Sequence, residues 1–276
     1  MSERTDASNH PGSPRATPGI RARNREAIEQ EILATGRRHL AEHGAAALSL
    51  RAVARDLGMV PSALYRYVRN RDELLTLLIV SAYTSLAEAV ETAHDAVDPD
   101  DLPARWTAVG TALRDWALSH PHEYSLLYGS PVPDYEAPAE STNEPGTRVQ
   151  ALLVRLLADA TRTGRTSNAA ATISTRTPQL ATRAAGPLLE DPFFEGAGLT
   201  AETLMAGLTA WTLLLGAVSS EVFHQLGDTI TDPDAYFHYL LDLAGALVLA
   251  PPAPPVTSQA HHQATHQAQH QARSRS

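Results

Sequence analysis

The stretch from Leu48 to Leu78, LSLRAVARDLGMVPSALYRYVRNRDELLTLL, constrains the chain more than any other. Ser49 stands where the N-cap of a helix over 50–57 is expected, with Val53, Ala54 and Leu57 facing inward, and Gly58 breaks that helix. Two residues later Pro61 falls in the first turn of another short helix, expected over 61–68, where its fixed φ and missing N–H cost nothing. Asn70 then reads as an N-cap with Glu73 as its capping-box partner, opening a longer helix that carries Leu74, Leu75, Leu78, Ala82 and Leu86. Upstream, a helix over 25–42 places Ile28, Ile32, Gly36, His39 and Leu40 at helical spacing and ends at Gly44. A short helix, a Gly turn and a second short helix make a helix-turn-helix. The second of such a pair can enter a major groove with its first residues at the base edges. Pro61, Ser62 and Ala63 are small or compact enough for close approach, and Tyr65 and Tyr67 each offer a ring and a hydroxyl. Arg66, Arg69 and Arg71 add charge around them. Helix N-termini hold phosphate through unpaired amides, so Ser49 and the helix start after Asn70 are expected to clamp a backbone.

Charge points the same way. The chain has 276 residues and a net charge of −9, but the sign is divided. Through Arg71 there are 12 Arg against 7 acids; beyond it, 10 Arg against 24 acids. A basic first quarter on an acidic body confines any polyanion to one end, because the remainder repels phosphate. Every cationic side chain is Arg, and Lys is absent.

The same residues carry a family resemblance. Leu64-Tyr65-Arg66-Tyr67-Val68 and Arg69-Asn70-Arg71-Asp72-Glu73-Leu74-Leu75, with the Leu-Ser-x-Arg start at Leu48, resemble the DNA-binding domain of the TetR/AcrR transcriptional regulators over about 60 residues. Arg71 stands where that family usually has Lys, and Tyr67 where it often has His. Carried over by position, the resemblance implies phosphate or groove contacts from Ser49, Arg51, Tyr67 and Arg71, and base-edge contacts from Pro61, Ser62, Ala63 and Tyr65. It also implies a C-terminal domain that dimerises and often holds a small molecule. The segment Trp106 to Tyr128 resembles the C-terminal domain of one subgroup, named for a Trp-His-Gly signature, although that literal tripeptide is absent.

No alternating strand pattern or internal repeat is present, so the expected fold is all-α: an N-terminal three-helix helix-turn-helix domain and a C-terminal helical ligand-binding and dimerisation domain. The expected limits are a disordered tail over 1–20, the DNA-binding domain over 21–82, the effector-binding and dimerisation domain over 83–250, and a disordered His/Gln/Ala-rich tail over 251–276. Within the second domain, 99–129 and 147–163 read as helices. The segment 130–146 reads as a Pro-rich loop, and 164–186 as weakly ordered. Two strongly apolar helices follow, over 200–226 from an N-cap at Thr200 and over 233–250 from an N-cap at Asp232. Leu204, Leu208, Trp211, Leu215, Val218 and Val222 form one apolar stripe, and Leu240, Leu241, Leu243 and Leu247 another. They suit a four-helix interface between two copies, an internal core, or both.

Trp106, Trp116, Tyr124, Tyr128, Trp211 and Phe223 are candidates for an effector pocket taking a small apolar or aromatic molecule, with ordinary core packing as the competing reading of each. The absence of Cys excludes disulfides, thiolate metal sites and a cysteine nucleophile. The cluster His120, His122, Glu123 and the tail residues His261, His262, His266 and His270 are the His groups worth testing as metal ligands, and neither is expected to be one. No enzyme signature is found: no nucleophile elbow, phosphate-binding Gly loop, zinc-protease helix or dinucleotide fingerprint. No catalytic residue, metal or cofactor is expected. The longest apolar run, Leu204 to Val218, is short for a bilayer, and no signal peptide is evident. The expected partners are therefore double-stranded operator DNA, a second copy of the chain and the effector, with no membrane, in the cytoplasm.

Overall fold

The computed structural model describes residues 19–169, 172 and 176–251; the two expected tails, apart from a residue or two, and the tail histidines lie outside them. The described elements are α1 (Ile20–His43), a 3₁₀ turn (Ala45–Ala47), α2 (Leu50–Asp56), α3 (Pro61–Leu64) and α4 (Arg71–Asp95). They continue with α5 (Leu102–Ser119), α6 (Pro121–Tyr128), α7 (Ala139–Arg162), α8 (Thr177–Leu189), α9 (Ala201–Val222) and α10 (Pro233–Val248). Strand pairing among the described residues is limited to one isolated bridge, Thr166 to Leu249, so the fold is all-α.

Two compact units share the chain: residues up to Thr84 with His120–Pro145, and Ser85–Ser119 with the residues from Gly146. The first break falls two residues from the expected limit at 82. The segment 120–145, expected in the second domain, instead packs with the first unit. The reason lies in its apolar side chains: Leu126, Val132 and Tyr135 rest on the helix-turn-helix core, and the Tyr135 and Thr76 hydroxyls are 2.9 Å apart. Tyr124, fully buried, lies in the same unit.

The first core is built by Ile32 of α1, Leu50, Val53 and Ala54 of α2, Leu64 of α3, Val68, and Leu74, Leu75 and Leu78 of α4. Burying this set is what holds helices as short as α2 and α3, since helices of one or two turns are unstable alone. Gly44 and Gly58 take φ of 76° and 65°, the left-handed values expected at those two breaks. His39, buried in α1, is 2.7 Å from the Asp56 carboxylate at the end of α2.

In the second unit α9 and α10 pack together, with α5 against both and α8 on α9. The Trp106 indole donates to the Leu241 carbonyl at 2.9 Å, and Gly110 of α5 lets Leu241 approach so closely that a Cβ there would sit 2.3 Å from its Cδ1. Two buried arginines carry the polar load. Arg105 reaches Asp159 and the Pro99 carbonyl, each at 2.9 Å, and Arg114 grips Glu221 and Asp234 and lies 4.8 Å from the Phe237 ring centre. Both are burials compensated by several partners.

Four local expectations are corrected. The first helix begins at Ile20, not Arg25. The third ends as an α-helix at Leu64 rather than Val68, because Arg66 and Tyr67 bond back three residues instead of four, so 65–68 continues as a tighter turn. The Pro-rich stretch 130–146 is helical from Ala139: Pro138 precedes the first turn and its carbonyl accepts from Ser141 and Thr142, so only Pro145 interrupts the ladder. Finally, 164–186 contains the start of α8, whose Ala181 and Ala185 are buried; small Ala and Thr side chains hid its inward face. In addition, α4 and α9 are long and apolar enough to cross a membrane by length and composition, α9 extending the run that looked short, although both bury part of their length in these cores.

Candidate nucleic-acid interface

The expected DNA-contacting residues lie together on one unit and are largely unclaimed by the protein. Ser49 occupies the N-cap of α2 with extended φ and ψ, but its exposed hydroxyl makes no capping hydrogen bond. The first-turn amides of α2 are thus left to an outside acceptor. Arg51, in that first turn, is exposed and forms no ion pair among the described residues. Across the Gly58 turn, Pro61 and Ser62 are exposed, Ala63 is half-buried and Tyr65 is 46% exposed.

Tyr67 and Arg71 differ from these. Tyr67 is half-buried against the first core, with the Arg25 guanidinium 5.5 Å from its ring centre. Arg71 donates to the carbonyls of Ala45 and Ala46 at 3.1 and 3.4 Å, and so holds the 3₁₀ turn that leads into Ser49. Its other guanidinium nitrogen lies 3.5 Å from Asp72. Arg71 therefore shapes the loop before α2, while its remaining exposure leaves room for a phosphate.

The start of α4 is capped largely as its sequence indicates. Asn70 Oδ1 accepts from the Glu73 amide at 2.8 Å, while the Glu73 carboxylate reaches one residue further back, to the Arg69 amide and guanidinium. Those contacts with Arg69 hold the Glu73 carboxyl below its ordinary range. Asp56 is likewise held low, first by its hydrogen bond to His39 and then by the charges of His39, Arg55 and Arg38, against a desolvation that pulls the other way.

Two residues missed in the sequence belong to this surface. Val60, before Pro61, is 65% exposed, an apolar contact suited to a thymine methyl. The sequence marks Arg25 as a helix start, whereas the structure places it as a cation beside Tyr67. Only the Pro at the next position hinted at Val60, by fixing where the turn ends.

The six pocket candidates are not brought together. Trp106 and Trp116 are core residues of the second unit, Trp116 donating to Ser85 at 3.1 Å. Tyr124 and Tyr128 belong to the first unit, their rings 5.1 Å apart; burial, with Tyr83 and Tyr124 adding to it, pushes the Tyr128 hydroxyl well above the usual tyrosine range. Phe223 is 36% exposed at the end of α9. Trp211 lines a cavity of about 170 Å³ with Leu153 and Leu157 of α7, Leu204 and Leu208 of α9, and Phe194. No group of three His, Asp or Glu among the described residues could hold a metal ion. His120 instead caps α6 in sequence, and Glu123 lies 3.8 Å from Arg37.

Comparison with known proteins agrees with this arrangement. The profile of the bacterial regulatory proteins of the tetR family matches residues 32–78, and that of the tetracyclin repressor-like C-terminal domain matches residues 106–244. The HTH-type transcriptional regulator Rv1816 of Mycobacterium tuberculosis is 42% identical over 222 residues, which cover 79% of this chain and 91% of that protein. The regulator Mb1846 of Mycobacterium bovis shows the same figures. Among solved structures, the regulatory protein SCO4313 aligns with a TM-score of 0.63 at 28% identity, covering 83% of this chain and 98% of that one. FadR of Bacillus subtilis shares the fold, with a TM-score of 0.53 at 14% identity over 78% of this chain and 96% of its own. With a helix-turn-helix exposed in the basic N-terminal quarter and both profiles matched, the chain belongs to the TetR family of DNA-binding transcriptional regulators.

Proposed function

We propose that the chain is a repressor that binds a pseudo-palindromic operator as a homodimer and is released by a small-molecule effector. The observation that carries the DNA half is the unclaimed row Ser49, Arg51, Pro61, Ser62 and Tyr65 in the basic N-terminal quarter. Ser49, Arg51 and the start of α2 take phosphates. The α3 segment presents Pro61, Ser62, Ala63 and Tyr65 to base edges, and Tyr67 and Arg71 support the backbone contact. Two such heads separated by one helical turn, about 34–36 Å, read the two halves of the site. The surfaces that support a dimer are the outward faces of α9 and α10, where Leu208, Thr212, Gly216, Tyr236 and Leu240 line an open groove.

The effector is placed in the cavity beside Trp211. A 170 Å³ space with aliphatic and aromatic walls matches a single aromatic ring, since apolar cavities of about 150 Å³ accept benzene. The Bacillus subtilis relative was solved with stearoyl-CoA, a molecule far too large for this space. Effector and DNA couple only if the effector binds the DNA-competent and the released states with different affinity.

The test is fluorescence anisotropy with the DNA upstream of the chain's own gene against a scrambled duplex, at two salt concentrations. Tight, sequence-selective binding with a steep salt slope is expected. Equal weak binding to both duplexes, with and without single-ring aromatics, would remove this reading.

A further inference from the structure

The first helix is longer than its core requires. Its inward stripe is Ile32, 1% exposed, and Ile28, packed on the helix-turn-helix core. Continued backwards by three and then four residues, the same face carries Arg25 and Arg21. Seven residues of helix span about 10 Å, so the face runs two turns past its last apolar anchor. Every residue from Arg21 to Ala27 is exposed. Where a stripe on protein would stay apolar, this one turns cationic.

Its position is tied to the reading segment. The Arg25 guanidinium lies over the Tyr67 ring, at the turn that follows α3, and Arg25 Nε donates to Glu29 at 2.8 Å. These two contacts hold the overhang beside the surface assigned to DNA, within the same unit. Arg21 and Arg23 form no ion pair among the described residues. Arg66 and Arg69 stand on the neighbouring turn, both exposed, Arg69 paired with Glu73. Glu26 is exposed on the same overhang and Glu29 and Glu73 pair Arg25 and Arg69, but five Arg against three Glu leave the surface, continuous with the helix-turn-helix, net positive and suited to a polyanion.

We infer that the first two turns of α1 are a second DNA contact, in which Arg21 and Arg25 grip the sugar–phosphate backbone flanking the bases read by α3. This rests on the reading of α2 and α3 as the DNA interface. Backbone contacts position without selecting sequence, so the contact adds affinity for operator and random duplex alike.

The experiment compares the wild-type chain with R21Q/R25Q on operator and scrambled duplexes across 50–200 mM salt. Each lost phosphate contact flattens the slope of log K against log salt by about 0.9. The double variant is expected to lose about 1.8 of slope per protomer. Over that salt range the wild type would then weaken about 12-fold more per protomer than the variant. R21K/R25K should restore the slope, because charge rather than helix propensity is at stake. R155Q/R183Q, which removes two exposed charges of the second unit, should leave it unchanged. A slope for R21Q/R25Q equal to wild type, while wild type still separates operator from scrambled DNA, overturns this inference and leaves the main reading intact. A loss confined to the operator also overturns it, since that would be base reading. If wild type fails to separate the two duplexes, the helix-turn-helix reading falls and this one falls with it.

Discussion

Tyr65 and Asp56 show how two side chains nine residues apart do opposite work. Tyr65 is exposed on α3's continuation, where its ring serves no core. Tyr65→Ala should leave the melting temperature almost unchanged and weaken operator binding by about 1–3 kcal/mol, with little effect on random DNA. Equal weakening on both duplexes in an anisotropy titration would take base reading away from this residue. Asp56 instead serves the head's architecture, pinning the end of α2 to His39 of α1. The folded state lowers its carboxyl below the ordinary 3.8, chiefly through the His39 hydrogen bond. A group depressed in the folded state contributes stability that is complete above its unfolded value and disappears as pH falls through the lowered one. Urea unfolding from pH 7 to pH 3 should show the wild type losing stability below about pH 4 more steeply than Asp56→Asn, the two curves converging at the acid end. Parallel curves would mean that the pair is not made in solution.

Helices pack here through small residues as much as through large ones. Gly110 of α5 faces Leu241, itself 1% exposed, and an added methyl would stand 2.3 Å from Leu241 Cδ1. Gly110→Ala gains about 1 kcal/mol of helix propensity but overpacks a closed site, which costs about 1–3 kcal/mol. The cost should win, so a thermal melt of the variant should fall; a rise would show that α5 and α10 are further apart than described. This contact was invisible in the sequence, where Gly110 is simply a poor helix residue between Val109 and Thr111. The helices that could be read had large apolar side chains at fixed spacing, as in α4, or a cap with a matching first turn. Thr200 and Asp232 do accept from the amides of Thr203 and Ala235. What escaped had a different signal. The start of α7 was hidden by four prolines, of which only Pro145 lies inside the helix, and α8 by an Ala/Thr composition whose buried face is two methyl groups. The interface was legible because a helix-turn-helix fixes its spacing locally, within 30 residues. The six scattered aromatics had no such constraint, since tertiary packing alone decides which rings share a cavity, and Trp211 lines one that holds none of the other five.

A reader of a two-fold site needs two heads, and one head on a few base pairs cannot supply the gap of about 10³ to 10⁷ between specific and non-specific binding. The partner is argued to lie on the outer faces of α9 and α10, where Tyr239 is 65% and Leu243 46% exposed and a groove runs along Leu208, Thr212 and Gly216. Leu204, Val218 and Leu241 of the two expected stripes are buried inside the protomer, so they hold the protomer rather than a second copy. Gly216 gives the sharpest test of the remaining face. Nothing within the protomer lies within 4 Å of where its Cβ would stand, and the residue is exposed in the middle of a long helix. Gly216→Arg therefore has room to fold and gains helix propensity, while a facing helix at the 8–10 Å separation of packed helices would meet the new side chain. Sedimentation velocity should show the wild type at twice the monomer mass and the variant at the monomer mass, with the helical circular-dichroism signal retained. Operator affinity of the variant should drop towards its affinity for random DNA, because each head then binds alone. A variant that remains a dimer with full operator affinity would move the two-fold axis off α9, and the second head would have to be sought on another face of the acidic unit.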